Sequence, residues 1–151
     1  MTIYRAWPDM PALLGDLMTR EWGDVVAARL DPTVAVAPDA VAEAIVTTVR
    51  ALRENELFTR ILTLDPELLL PYLLDRRGRA QQLILDVLGT VIDTGQQQGT
   101  IRAGAVAPLA RGLVLAAHGF VLSAHTMVDG TVDPQALESE LHALVVRALA
   151  P

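Results

Sequence analysis

Residues 79–98 read RAQQLILDVLGTVIDTGQQQ. Apolar side chains recur there every three or four residues, which is the spacing of one face of an α-helix. The stripe consists of Ala80, Leu83, Ile84, Val87, Leu88, Val91 and Ile92. Gly99 follows directly, and glycine is the commonest residue just beyond a helix end. The segment therefore predicts a long amphipathic helix over 79–98.

Apolar residues show the same spacing along most of the chain. It predicts further helices over about 9–29, 39–52, 56–64, 65–74, 107–128 and 134–149. Asp65-Pro66 and Asp133-Pro134 each place a capping carboxylate before a first-turn proline. Pro71 is expected to kink or shorten its helix. The run 33–37 lies between two prolines and is predicted to be a loop. The sequence therefore predicts an all-α bundle of six to seven helices.

Composition limits the classes of protein to consider. The chain has 151 residues, 52% of them hydrophobic, and a net charge of −6, which fits one folded domain. It contains neither cysteine nor lysine, which excludes disulfides, thiolate metal sites and Schiff-base chemistry. The acidic balance argues against nucleic-acid binding over the whole surface. The most apolar run, 112–128, is shorter than a typical membrane span of about 20 residues, so we expect a cytoplasmic protein without membrane contact.

The three histidines are the main candidates for catalysis or metal binding. His118 and His125 lie seven residues apart, about 10 Å along a helix, which is too far for one metal ion without other ligands. Glu138 and His142 have i, i+4 spacing, for which we expect a solvated pair. No catalytic motif is present in the sequence. We therefore predict no enzyme, cofactor or metal. His118 is assigned to a pocket, the core or an interface, and these alternatives stay open.

The predicted helix over 107–128 is apolar around almost its whole circumference. One face carries the small residues Gly112, Ala116, Gly119 and Ser123, which permit close approach by another helix. The last helix also has apolar residues outside its main stripe. Either a partner covers these faces, or the helix over 107–128 is a well-buried central helix within one chain. The sequence predicts a two-fold homodimer that uses Gly112, Ala116, Gly119, Phe120, Ser123, Leu137, Leu141, Leu144 and Val145.

The N-terminal residues carry a resemblance to a known family. In order they are Thr2, Tyr4, Arg5, Trp7, Pro8, Leu13 and Leu14. This string resembles the end of the DNA-binding domain of the tetracycline-repressor (TetR) family of transcriptional regulators. The Glu56-Leu57-Phe58 run, the two Asp-Pro helix starts and the long helix after Gly78 resemble the ligand-binding domain of that family. The resemblance covers essentially the whole chain.

The resemblance implies a dimeric repressor whose helical domain binds a small, mostly apolar effector. The implied effector site consists of Phe58, Ile61, Leu62, Tyr72, Leu88, Ile92, Arg111, Leu115, His118 and Leu122. Residues 1–8 would be the end of the recognition helix and 9–151 the effector-binding and dimerisation domain. Family members contact DNA phosphates at the positions of Thr2 and Tyr4. Because the chain begins inside that helix and has Met10 in place of the usual lysine, we expect no specific DNA binding without the preceding helices.

A carrier or an enzyme is the alternative to the repressor. A helical-bundle carrier or enzyme would need convergent polar groups in a pocket, for which only Tyr72, Arg111 and His118 are available. No reaction follows from these three side chains. An in-frame helix-turn-helix upstream of Met1 would distinguish the repressor from this alternative.

Overall fold

The computed structural model describes residues 36–75 and 77–151, together with Leu13, Asp16, Thr19 and Arg20. In these ranges the α-helices are α1 (Pro38–Glu54), α2 (Glu56–Leu64), α3 (Leu70–Leu74), α4 (Arg79–Gln98), α5 (Val106–Ser123) and α6 (Pro134–Leu149). Short 3₁₀ helices follow α2 and α5, at Pro66–Leu68 and Ala124–Met127. The described part of the chain contains no strand. The predicted all-α class is therefore confirmed.

Local sequence signals account for three of the helix ends. The Asp133 carboxylate accepts a hydrogen bond from the Ala136 amide at 2.7 Å and caps α6. The Asn55 side chain caps α2 in the same way through the Phe58 amide, at 2.9 Å. Gly99 has φ of 73°, a left-handed conformation that ends α4 where the sequence predicted.

The predicted helix over 65–74 is wrong as one continuous element. The Asp65 side chain makes no capping hydrogen bond, and a 3₁₀ turn separates it from the five-residue α3. Pro71 explains the division, because it has no amide hydrogen and its ring clashes with the carbonyl four residues earlier. The helix restarts at Leu70, which leaves Pro71 in the first turn.

The predictions for Leu83 and for the end of the helix over 107–128 are wrong. Other predictions concern residues that the structure does not describe. Leu83 belongs to the predicted apolar stripe of α4 but is exposed. The helix predicted over 107–128 is α-helical only to Ser123. Leu13, Asp16, Thr19 and Arg20 are helical as predicted, whereas the rest of the predicted helix over 9–29, residues 33–35 and Arg76 lie outside the description.

Helix α1 lies at the centre of the packing. It contacts both α5 and α6, and α4 also packs against α5. α5 and α6 make little direct contact with each other. The core buries side chains from all of these helices, including Val41, Ile45, Val49, Phe58, Ile61, Leu88, Val91, Ile92, Leu113, Val121, Leu141, Val145 and Leu149.

The turn between α4 and α5 joins segments that are distant in sequence. The Val36 amide donates to the Gln98 side chain at 2.9 Å, and the Thr100 hydroxyl donates to the Val36 carbonyl. The side chain of Ile101 is only 2% exposed and packs over Gly95. A Cβ at Gly95 would lie 2.6 Å from Cδ1 of Ile101, so this approach requires glycine. The turn is thus fixed by close packing as well as by hydrogen bonds.

Candidate functional site

Helix α5 presents two different faces. One face buries Ala110, Leu113, Val114 and Val121 against the rest of the chain. The opposite face exposes Gly112, Ala116, Gly119 and Ser123, and Leu115 beside them is 70% exposed. A helix fully covered within one chain was one of the two sequence alternatives, and the exposed face of α5 does not favour it. An apolar face open to solvent supports the other alternative, a partner surface.

A groove of about 530 Å³ lies between α5 and α6. It forms because both helices pack on α1 rather than on each other. Arg102 is the one charged side chain in its lining. The lining residues are Arg102, Ala105, Pro108, Leu109, Gly112, Leu113, Ala116, Leu141, Leu144, Val145 and Ala148. Such a surface is suited to binding an apolar partner, such as a helix or its apolar side chains.

The residues predicted for a dimer interface divide into two groups. Those with open surface are Gly112, Ala116, Gly119, Ser123 and Leu144, and Leu137 and Phe120 are half-buried. By contrast, Leu141 and Val145 are buried in the core of their own chain. They form the floor of the groove, so their apolar side chains already have a structural role in the single chain. The surface open to a partner is therefore smaller than the predicted set of interface residues, and the dimer stays a prediction.

The residues predicted for the effector site are also divided. Four of them lie in the packed core: Phe58, Ile61, Leu88 and Ile92. Leu62 and Leu122 pack against that core, and Tyr72 is half-buried. Arg111 and Leu115 are instead exposed on α5, so they do not face the same interior as the others. The effector site stays a prediction, and the structure brings only part of it together.

His118 lies on α5 at the boundary between the buried and exposed faces. Its side chain is half-buried, and burial lowers the pKa of the imidazole below its ordinary value. The ring is therefore neutral at pH 7. A neutral imidazole can both donate and accept one hydrogen bond, which suits it to contact with an uncharged polar group.

We expect the free energy of unfolding to fall as the pH drops below about 6.5, and His118 to cause part of this fall. The unfolded chain binds the proton more tightly than the folded one, so acid favours unfolding between the lowered pKa and the ordinary value. Thermal unfolding of His118→Asn at pH 5 and 7.5 would show a smaller difference between the two pH values than the wild type. His125→Asn, at an exposed position on the following turn, is the control. An equal pH effect in all three proteins would contradict the assignment.

Comparison with curated proteins gives relatives that cover nearly the whole chain. Two proteins from strains of Mycobacterium tuberculosis and one from Mycobacterium bovis are each 31% identical over 144 residues. These residues cover 95% of this chain and 74% of each relative, and each is named an uncharacterized HTH-type transcriptional regulator. The chain belongs to the HTH-type transcriptional regulators. No protein-family profile and no solved structure matches this regulator.

One ion pair and one contact between a histidine and a carboxylate link α1 to α6 in the regulator. Arg50 reaches the Glu138 carboxylate at 2.6 Å, and His142 Nε2 lies 3.4 Å from Asp39. The prediction that Glu138 and His142 form a solvated pair on one helix is therefore wrong. Each has a partner on α1 instead, because the two helices cross with their polar edges adjacent. Only the opposite charges on the two helices hinted at this arrangement, since the partners are about 90 to 100 residues apart in sequence.

The remaining site predictions concern metal, membrane and DNA. Within residues 36–75 and 77–151 no three acidic or histidine side chains are grouped to hold a metal ion. Val106–Met127 is long and apolar enough to cross a membrane by length and composition alone, but in this regulator it packs on α1 and α4. The DNA-contact positions Thr2 and Tyr4 lie outside the described residues.

Proposed function

We propose that this regulator is of the TetR type and that residues 9–151 form its effector-binding and dimerisation domain. The support is the ordered N-terminal string from Thr2 to Leu14, the all-α architecture and the relatives named as HTH-type regulators. In this proposal residues 1–8 belong to the DNA-recognition helix, and DNA is the partner of the complete regulator in the cytoplasm.

The observation that carries the proposal is the open apolar surface of α5 and α6. A second copy of the chain occupies the groove between them and forms a four-helix bundle. The face of α5 around Gly112 and Ala116 is uncharged, and Arg102 is the one charged side chain that lines the groove. Helix-turn-helix regulators read two half-sites as two-fold dimers, which makes a second copy the fitting occupant.

The effector site lies between α2, α4 and α5. Buried apolar side chains such as Phe58, Ile61 and Ile92 form its walls, and His118 supplies the polar contact. Such a lining fits a small, mostly apolar molecule with one uncharged hydrogen-bonding group. Effector binding shifts the dimer between two states with different spacing of the DNA-reading modules.

Light scattering at micromolar concentration tests the dimer. We expect a mass twice the 16.3 kDa of one chain. A stable interface of this kind buries more than about 1,000 Å² in total. A monomer at all accessible concentrations would remove the central support of the proposal.

A thermal-shift panel of apolar compounds tests the effector site. A compound present at a free concentration of 100 times its dissociation constant stabilises the fold by about 2.7 kcal/mol. This stabilisation raises the melting temperature by a readily measured amount. His118→Leu should reduce the shift for compounds with a hydrogen-bonding group, whereas His125→Leu should not. The same compound should change the affinity of the complete regulator, which includes the preceding helices, for DNA upstream of its gene. Shifts that are identical in both variants would contradict the placement of the site.

A further inference from the structure

Arg102 connects the α4–α5 turn to the end of α6. Its backbone amide donates to the Leu149 carbonyl at 2.9 Å, and its side-chain Nε donates to the Ala148 carbonyl at 2.7 Å. The last carbonyls of a helix have no partner within the helix, so these bonds satisfy two of them. In the described residues no other hydrogen bond joins this turn to α6.

The backbone around Arg102 is itself held in place by hydrogen bonds and close packing. The Gln96 side-chain amide donates to the Arg102 carbonyl at 2.9 Å and to the Gly104 carbonyl at 3.0 Å. Beneath it, Ile101 is packed over Gly95 without room for a Cβ. Arg102 therefore projects from a fixed point and, together with the buried Val145 and Leu149, holds the last turn of α6 in place.

The last turn of α6 borders the groove. Ala148 and Arg102 both line it, and α5 and α6 touch each other too little to set its width. We infer that Arg102 is a positioning residue for dimerisation, which holds α6 at the distance from α5 that a second copy requires. This inference rests on the proposed dimer and names the contact that prepares its interface.

Loss of the Arg102 side-chain bond would loosen the last turn of α6 in the monomer, which the bond from the Arg102 amide to the Leu149 carbonyl would still hold. Association would then have to order that turn again, which weakens binding without removing an interface contact. The effect is on the dimer dissociation constant, with little change in the folding of the monomer, because Arg102 is exposed and outside the core.

Two variants separate the hydrogen bond from the positive charge. In Arg102→Gln, the amide nitrogen replaces Nε at the same distance along the side chain, so the bond to Ala148 is kept while the charge is lost. In Arg102→Met, the apolar stem is kept and the donor is lost. We expect the methionine variant to raise the dissociation constant about three- to tenfold. The glutamine variant should stay within about twofold of the wild type.

Analytical ultracentrifugation over a dilution series measures these constants, and circular dichroism checks that each variant is folded. Arg147→Ala removes an equivalent charge from the last turn of α6 and is the control, because Arg147 is exposed, pairs with Glu140 at 3.7 Å and does not line the groove. Equal constants for the methionine and glutamine variants, or an unfolded methionine variant beside a folded glutamine one, would overturn the inference. A wild type that never dimerises would instead overturn the proposed function.

Discussion

Replacing Leu141 by aspartate should unfold the chain. Leu141 is 0% exposed and lies in the core where α6 packs against α1. An ionised carboxylate placed there has no partner, and the cost of burying it is several kcal/mol even after relaxation. Domains of this size are stable by only about 5–15 kcal/mol. We therefore expect loss of helical circular dichroism and of soluble protein.

Two further substitutions, one at the same position and one at the position before it, are controls for Leu141→Asp. Leu141→Ala leaves a cavity and should cost about 2–5 kcal/mol while the chain still folds. Glu140→Ala, at the next position, removes an exposed side chain and should change stability by less than about 0.5 kcal/mol. If Leu141→Asp gave a folded monomer, the residue would belong to an interface and the core placement would be wrong.

Replacing Leu144 by aspartate should separate the dimer and leave each chain folded. Leu144 is 46% exposed, only three residues from Leu141, and lines the groove. In the single chain a carboxylate at this position reaches water, so folding is little affected. In the proposed dimer it would be buried in an apolar interface, which should cost at least about 2 kcal/mol and raise the dissociation constant about 30-fold or more.

A second exposed leucine provides the control for Leu144. Leu64 is 71% exposed at the end of α2 and is not part of the groove. Leu64→Asp should therefore leave the dimer intact, as measured by light scattering over the same dilution series. Equal masses for the Leu144 and Leu64 variants would show that the groove is not the interface.

The leucines 141 and 144 also show what the sequence could predict. The bounds of α4 and α6 follow from apolar spacing and from local end signals, Gly99 and Asp133, and the predictions for both helices are confirmed. The spacing also marks Leu141 and Leu144 as apolar positions of one helix. It does not say which of them faces α1, because that depends on packing between helices far apart in the chain.

The same distinction explains the mixed outcome for the candidate site. The small-residue face of α5 was predicted from the sequence, and it is exposed. The predicted effector residues were chosen for apolar character alone, so core residues such as Ile92 and surface residues such as Leu115 were grouped together. Arg102 was not predicted at all, since its partners are carbonyl groups 46 and 47 residues away. No residue pattern encodes such a contact.

Hydrogen bonds to the end of α4 and to the α4–α5 turn join the start of α1 to the end of α6. Val36, just before α1, is bonded to Gln98 and Thr100, and the end of α6 is bonded to Arg102. The segment from 36 to 149 thus has both ends bonded to residues 98–102, at the end of α4 and in the turn after it. Opening of the fold at Val36 or at the end of α6 must break contacts with one shared anchor, so hydrogen exchange at these two places should behave as one cooperative unit. Opening at the start of α1 would then loosen the edge of the groove, although α6 lies about 100 residues further along the chain.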